Sequence, residues 1–204
     1  MVNAAVILAG GQGKRMKSDK PKVLCSVLGE PMLEWVITAC ENAEIANVCV
    51  VKGYRGEMLD EYISARSSRS EIVTVLQAEQ LGTGHAVMQA EDFLKQYMDG
   101  NILVLNGDAP FIDAETINSA LAQHIENDSA VTVVTARIEN PTGYGRVIRT
   151  DTGIAGIVEH KDCDPYQLAI TEVNSGCYWF TTAELLEVLG EIGNDTAQGE
   201  YYLT

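Results

Sequence analysis

With 204 residues, 46 % of them apolar and 21 % charged, the chain suits one folded domain and excludes two separate cores or a disordered polymer. Twenty-nine acidic against fourteen basic residues leave a formal charge of −15, a field that repels nucleic acid and anionic membrane surfaces. No basic stretch precedes the first apolar run and no run approaches the roughly 18 residues of a membrane span, so a soluble, cytoplasmic protein is expected.

The first element is the strand "AAVILAG" (4–10), and "LAGGQGKRMKSDKPK" (8–22) overlaps its end. Gly10, Gly11 and Gly13 fall in four positions, and Lys14, Arg15, Lys17, Lys20 and Lys22 place five of the fourteen basic residues in nine positions. In an acidic chain this is a local anion site. A dinucleotide fingerprint read from Gly11 puts Met16 where the third glycine should pack. A Walker loop counted back from Gly13–Lys14 puts Leu8 at its first glycine and Arg15 at its magnesium-binding hydroxyl. What remains is a loop whose amides, at a strand's carboxyl end and near a helix start, reach phosphate oxygens. Arg15 suits a two-point phosphate grip, and Lys22 after Pro21 supplies a movable point charge. Lys17 and Lys20 read equally well as solvated side chains.

Apolar residues at spacings of three and four predict a helix over 31–44, with Pro31 in its first turn. Strands at 47–54, 71–77, 101–108 and 130–137 alternate with helices at 55–66, 82–98 and 113–127, the last capped by Asp113. Nearly continuous Val/Ile/Leu runs suit a sheet buried on both faces, and the alternation predicts right-handed parallel crossovers. The expected fold is therefore α/β, a doubly wound, mostly parallel Rossmann-like sheet. After residue 140 the rhythm changes to two strands about "TDTG", a further strand at 172–182 and a helix at 183–192, read as a small β extension. The cysteines Cys25, Cys40, Cys49, Cys163 and Cys177 form no C-x-x-C pair and are expected as reduced core thiols.

"LNGD" places Asp108 at the carboxyl edge of a buried strand, where a carboxylate serves either as a ligand for Mg²⁺ or as a turn or cap residue. "LQAEQLGTGHAV" places Gln77 at a strand end and Gly82 and Gly84 around Thr83, which also reads as a helix cap. His85, His124 and His160 read as structural.

Taken together, "LAGGQGKRMKSDKPKVL", "LQAEQLGTGHAV", "LNGDAPFI", "NPTGYGRVIR", "GIVEHKD", "EVNSG" and "AQGEYYLT" resemble, in this order, the sugar-nucleotide pyrophosphorylases, and among them the N-acetylglucosamine-1-phosphate uridylyltransferases. The resemblance covers nearly the whole chain. It implies a nucleotidyltransferase fold of the nucleotide-diphospho-sugar transferase type. It implies that UTP and N-acetylglucosamine 1-phosphate give UDP-N-acetylglucosamine and pyrophosphate, feeding cell-wall precursor synthesis, with Mg²⁺ as cofactor. It implies catalytic roles for Arg15 and Lys22. It implies nucleotide contacts from Leu8, Ala9, Gly10, Gly11, Gly13, Gln77, Gly82 and Thr83, with Gln77 and the backbone near Gly82 reading the uracil edge. It implies sugar contacts from Asn106, Gly145, Glu159 and Asn174, and a magnesium ligand at Asp108. Lys14 stands where the family has threonine, Cys25 where histidine is common, and Asn106 where an aromatic is usual. The family's second magnesium ligand, an asparagine, and the β-helix acetyltransferase of many members follow the "GEYYLT" motif. Residues 1–204 are thus expected to be one nucleotidyltransferase domain, incomplete at its carboxyl end and without acetyltransferase activity. A pyrophosphorylase for another sugar or base, and a non-catalytic nucleotide-binding module, remain compatible with the residues. Nothing in them sets an oligomeric state.

Overall fold

In the computed structural model of the chain, which describes all residues except Met1, Lys14, Arg15, Thr152 and Ala197, strand β1 (Asn3–Ala9) is the hub of the main sheet. Its side chains alternate between two cores: Ala5, Ile7 and Ala9 enter one, Ala4 and Val6 the other. The flanking strands β4 (Asn47–Lys52) and β6 (Asn101–Asn106) divide the same way, with Val48, Val50, Leu103 and Leu105 on one face and Cys49, Val51, Ile102 and Val104 on the other. This period of two, buried on both sides, is why the runs look continuously apolar.

Helices α1 (Met32–Asn42), α2 (Gly56–Ala65) and α5 (Ala114–Glu126) cover the first core through Leu33, Val36, Ile37, Leu59, Ile117 and Ala120. Helices α3 (Thr83–Met88), α4 (Glu91–Leu94) and α7 (Thr182–Leu189) cover the second through Ala86, Val87, Phe93, Leu94, Leu185 and Leu189. Strand β5 (Glu71–Leu76) closes one edge, and β5, β4, β1 and β6 are parallel neighbours in that order. The short hairpin β2 (Ser26–Val27) and β3 (Glu30–Pro31) precedes α1, and a four-residue helix, α6 (Pro165–Leu168), precedes the last strand.

The last strand departs from the sequence expectation. β10 (Glu172–Thr181), read with the small β extension after residue 140, enters the main sheet antiparallel between β6 and β7 (Val131–Arg137). Its register with β7 shifts between Asn174 and Cys177, a bulge beyond which Val173 pairs with Arg146 of β8 (Arg146–Thr150). Only β8 and β9 (Gly153–Val158) form the added ribbon. Two further differences are local. The helix expected over 82–98 is broken into α3, α4 and a 3-10 turn at Lys95–Tyr97, because Ala90 leaves helical backbone (φ −91°, ψ 9°); the apolar face stays continuous. Pro31 precedes α1 in extended backbone, since the hairpin holds it in β3 and the Met32 amide donates to the Cys25 carbonyl. Asp113 caps α5 by accepting from the Thr116 amide at 2.8 Å. Cys40, Cys49 and Cys177 are core residues, whereas Cys25 and Cys163 are half-buried. No helix among the described residues is long and apolar enough to cross a membrane.

Candidate active site at the carboxyl ends of the parallel strands

Because β1, β4, β5 and β6 run in one direction, the loops that follow them meet at one edge of the sheet, where open α/β folds bind ligands. A cleft of about 320 Å³ lies there. Leu8, Gly10 and Gly11 line it from β1 and its loop, Gln77 follows β5, Gly82 and Thr83 open α3, and Asn106 and Asp108 end β6. Lys22 completes the wall from the 3-10 turn Lys22–Leu24, which starts after extended Pro21. Gly13 backs onto the stem of Lys22.

Lys22 Nζ donates to Asp108 Oδ2, so the cation and the carboxylate singled out in the sequence, 86 positions apart, form one ion pair in the cleft. Asp108 stands in the turn after β6 and lines the cleft. At the opposite wall Gln77 is buried; its Nε2 donates to the Gly82 carbonyl at 3.0 Å and lies 3.2 Å from His85 Nδ1. Its Oε1 faces Gly10, where a Cβ would stand 2.8 Å away. His85 is held between Gln77 and Gln89.

Gly82, and not Thr83, is the N-cap of α3. Its φ of +111° and a Tyr201 carbonyl oxygen 2.4 Å from where a Cβ would be explain the glycine, because no L side chain fits either condition. Segment 200–203 packs on this turn: the Tyr201 amide donates to Leu81 O at 2.7 Å, the Gly84 amide to Tyr201 O at 2.8 Å, and the Leu203 amide to Thr83 Oγ1 at 3.1 Å. The Thr83 hydroxyl is thus occupied by the chain's own backbone.

The expected sugar contacts divide. Asn106 lines the cleft, its amide against Gly176 of the β10 bulge. Gly145, Glu159 and Asn174 do not line that cavity; they gather beside it, with the Asn174 amide donating to Gly145 O at 2.9 Å and the Asn174 side chain to the Tyr178 hydroxyl. The Glu159 carboxylate lies over Gly145, and burial, then the charges of Asp162 and Glu200, push its pKa up. Ala9 does not line the cleft, and its side chain is buried in the first core. Arg15 and Lys14 lie outside the described residues.

Gln80, Val23, Ala86 and Glu200 also line the cleft and were not singled out in the sequence. Gln80 lies three residues after Gln77 in the same motif. Glu200 lies in the motif "AQGEYYLT", but its place in the cleft depends on the return of the chain to α3. Among the described residues no cluster of three or more His, Cys, Asp or Glu side chains could hold a metal by itself.

The nucleotidyl transferase family model matches residues 4–201. The chain belongs to the nucleotidyl transferase family. This nucleotidyl transferase is 47 % identical over 204 residues to a bifunctional protein GlmU of Clostridium perfringens, covering 100 % of the chain and 44 % of that relative. It is likewise 47 % identical over 206 residues to a bifunctional protein GlmU of Latilactobacillus sakei, covering 43 % of it. It thus spans less than half the length of these curated relatives. Among solved structures, a UDP-glucose pyrophosphorylase complexed with UDP-glucose superposes with a TM-score of 0.83 at 16 % identity, covering 100 % of this chain and 84 % of that one. A structure assigned as a glucose-1-phosphate thymidylyltransferase from Bacillus anthracis gives 0.78 at 20 % identity, covering 94 % and 74 %. These likenesses bear out the expected fold, a mostly parallel α/β sheet of the nucleotide-diphospho-sugar transferase type.

Proposed function

We propose that this nucleotidyl transferase joins UTP to N-acetylglucosamine 1-phosphate, giving UDP-N-acetylglucosamine and pyrophosphate for cell-wall precursor synthesis. The observation that carries the reading is the Lys22–Asp108 pair: it faces the glycine loop at the carboxyl ends of the parallel strands, with the Gln77–Gly82 wall opposite. The similarity to GlmU proteins, which runs along the whole of this chain and covers under half of those relatives, supports uridylyl transfer over the other sugar and base pairings.

In this reading Gln77 and the Gly82 backbone hold the uracil edge, while the amides at Gly10, Gly11 and Gly13 hold the triphosphate. Thr83 lends its backbone there. A phosphate oxygen of the sugar phosphate attacks the α-phosphorus of UTP in line; the bond from that phosphorus to the bridging oxygen breaks, and pyrophosphate departs with its electron pair. The attacking group is already ionised near neutral pH, so no side chain has to remove a proton. Positioning and charge do the catalysis, with Lys22 moving from Asp108 toward the phosphates and Arg15 adding a second cation. Glu159, Asn174, Asn106 and Gly145 orient the sugar. Asp108 offers Mg²⁺ a hard oxygen ligand of the kind that ion shares with substrate phosphates, and the ion would neutralise charge on the pyrophosphate. Reduced thiols and small soluble substrates suit the cytoplasm.

Pyrophosphate release measured with UTP, Mg²⁺ and a panel of sugar 1-phosphates tests this directly. N-acetylglucosamine 1-phosphate is expected to be the preferred acceptor, with turnover abolished by chelation. Preference for glucose or galactose 1-phosphate would overturn the sugar assignment.

A further inference from the structure

Strand β4 lies beside β1, and the turn after it, Gly53–Tyr54–Arg55, touches the loop that follows β1 at two places. At the near end Gly53 and Gly10 pack backbone to backbone: a Cβ on Gly53 would stand 2.7 Å from the Gly10 carbonyl oxygen, which also accepts from the Tyr54 amide at 3.2 Å. At the far end Arg55 Nη1 donates to the Asp19 carbonyl at 2.6 Å, and the guanidinium carbon sits 5.6 Å from the centroid of the Tyr54 ring. Asp19 stands three residues before Lys22, with Pro21 between them to stiffen the connection.

Arg55 is badly suited to its own position. It holds φ 48°, ψ 45°, left-handed backbone that favours glycine over any residue with a Cβ. It also stands at the N-cap of the ten-residue helix α2, where a cation opposes the helix dipole, and it makes no side-chain capping bond. Its side chain is exposed and forms no ion pair among the described residues. Two local penalties are therefore tolerated for a side chain whose polar contact goes to the phosphate loop. Left-handed backbone recurs at Leu28, Glu44 and Asp128; what sets Arg55 apart is that its side chain ties the turn after β4 to the loop after β1.

We propose that Arg55 is a positioning residue for nucleotide binding, a staple that holds the Asp19 carbonyl and thereby sets the loop segment that presents Lys22 to the phosphates. The proposal rests on the reading of the cleft as a triphosphate site. Arg55 itself does not touch the reacting atoms, and the turn it belongs to fixes the loop at both ends, Gly10 and Asp19, as one unit.

Arg55→Gly separates this role from a structural one, because it removes the side chain together with both local penalties. The melting temperature is expected to stay unchanged or rise, while trypsin cleaves the Lys17–Ser18 bond at least about fivefold faster. Calorimetric affinity for UTP should fall about fivefold and KM for UTP rise to match, with KM for the sugar phosphate unmoved. Arg55→Lys, which keeps a donor and a charge, should recover most of the protection. An unchanged cleavage rate at Lys17, or a lowered melting temperature with cleavage rising along the whole chain, overturns the proposal. If the wild-type chain binds no UTP, the functional reading above fails, and cleavage at Lys17 still decides whether Arg55 holds the loop.

Discussion

Lys22 and Asp108 neutralise one another across the cleft, each from a different loop, and each is expected to matter through charge rather than packing. Lys22→Ala and Asp108→Ala should each lower turnover by more than about tenfold while leaving the circular dichroism spectrum unchanged, since charge placed at a developing transition state is worth several kcal/mol and the pair is partly solvated. Wild-type rates in both would remove them from the mechanism. Gly82 tests the opposite kind of contribution. Gly82→Ala forces a side chain into left-handed backbone and against Tyr201 O, so a loss of about 1–3 kcal/mol in a denaturant melt is expected, with weakened UTP binding. The place of Gly10, Gly11 and Lys22 in the cleft was legible because local chemistry demands those residue types. Tyr201 on Gly82, and Glu200 in the cleft, were not, because a contact between distant segments leaves no spacing to read.

Between elements, the ends of α1 and α2 are joined by a buried charge network. Arg66, following α2, donates to both oxygens of Glu34 and, through both terminal nitrogens, to Glu41, which also accepts from Ser68 and the Arg69 amide. Arg66→Ala would leave Glu41, only 8 % exposed, charged and without its main partner; a loss of about 3–5 kcal/mol is expected from urea unfolding. The Arg66 hydrogen bonds hold the Glu41 carboxyl well below the ordinary carboxylate range despite burial, and Arg149 holds Glu172 down to about 2. Depressed folded-state values make the unfolded chain bind more protons in acid. The stability these groups contribute is therefore fully present above a pH of about 4.3 and is lost as pH falls toward 2. The urea midpoint should drop across that window, and Glu41→Gln with Glu172→Gln should flatten the drop. Helical periodicity announced α1, α2 and α5, whereas the break of 82–98 at Ala90 escaped it, because a bend that keeps Val87, Ala90, Phe93 and Leu94 on one face leaves the pattern intact.

At the scale of the whole molecule, the two cores on either side of one sheet sort the thiols. Burial pushes Cys40, Cys49 and Cys177 up to about 12, so native protein treated with a maleimide at neutral pH should label at Cys25 and Cys163 only, and at all five cysteines after denaturation. Rapid native labelling of Cys177 would mean that β10 is not held between β6 and β7. That strand marks the boundary between local and global information. By itself the sequence determined the α/β class, the parallel direction of the early strands, and the gathering of a basic glycine loop and a carboxylate at their carboxyl ends. Periodicity, burial on two faces and phosphate chemistry are all local demands on residue type. Only the tertiary structure decided that β10 enters the sheet, that Trp179 donates to the Ile117 carbonyl at 3.0 Å to lock α5 over it, and that Asn106 meets the β10 bulge at Gly176. An apolar strand is compatible with any free sheet edge. Which edge it takes is chosen by the close packing of side chains from distant parts of the chain.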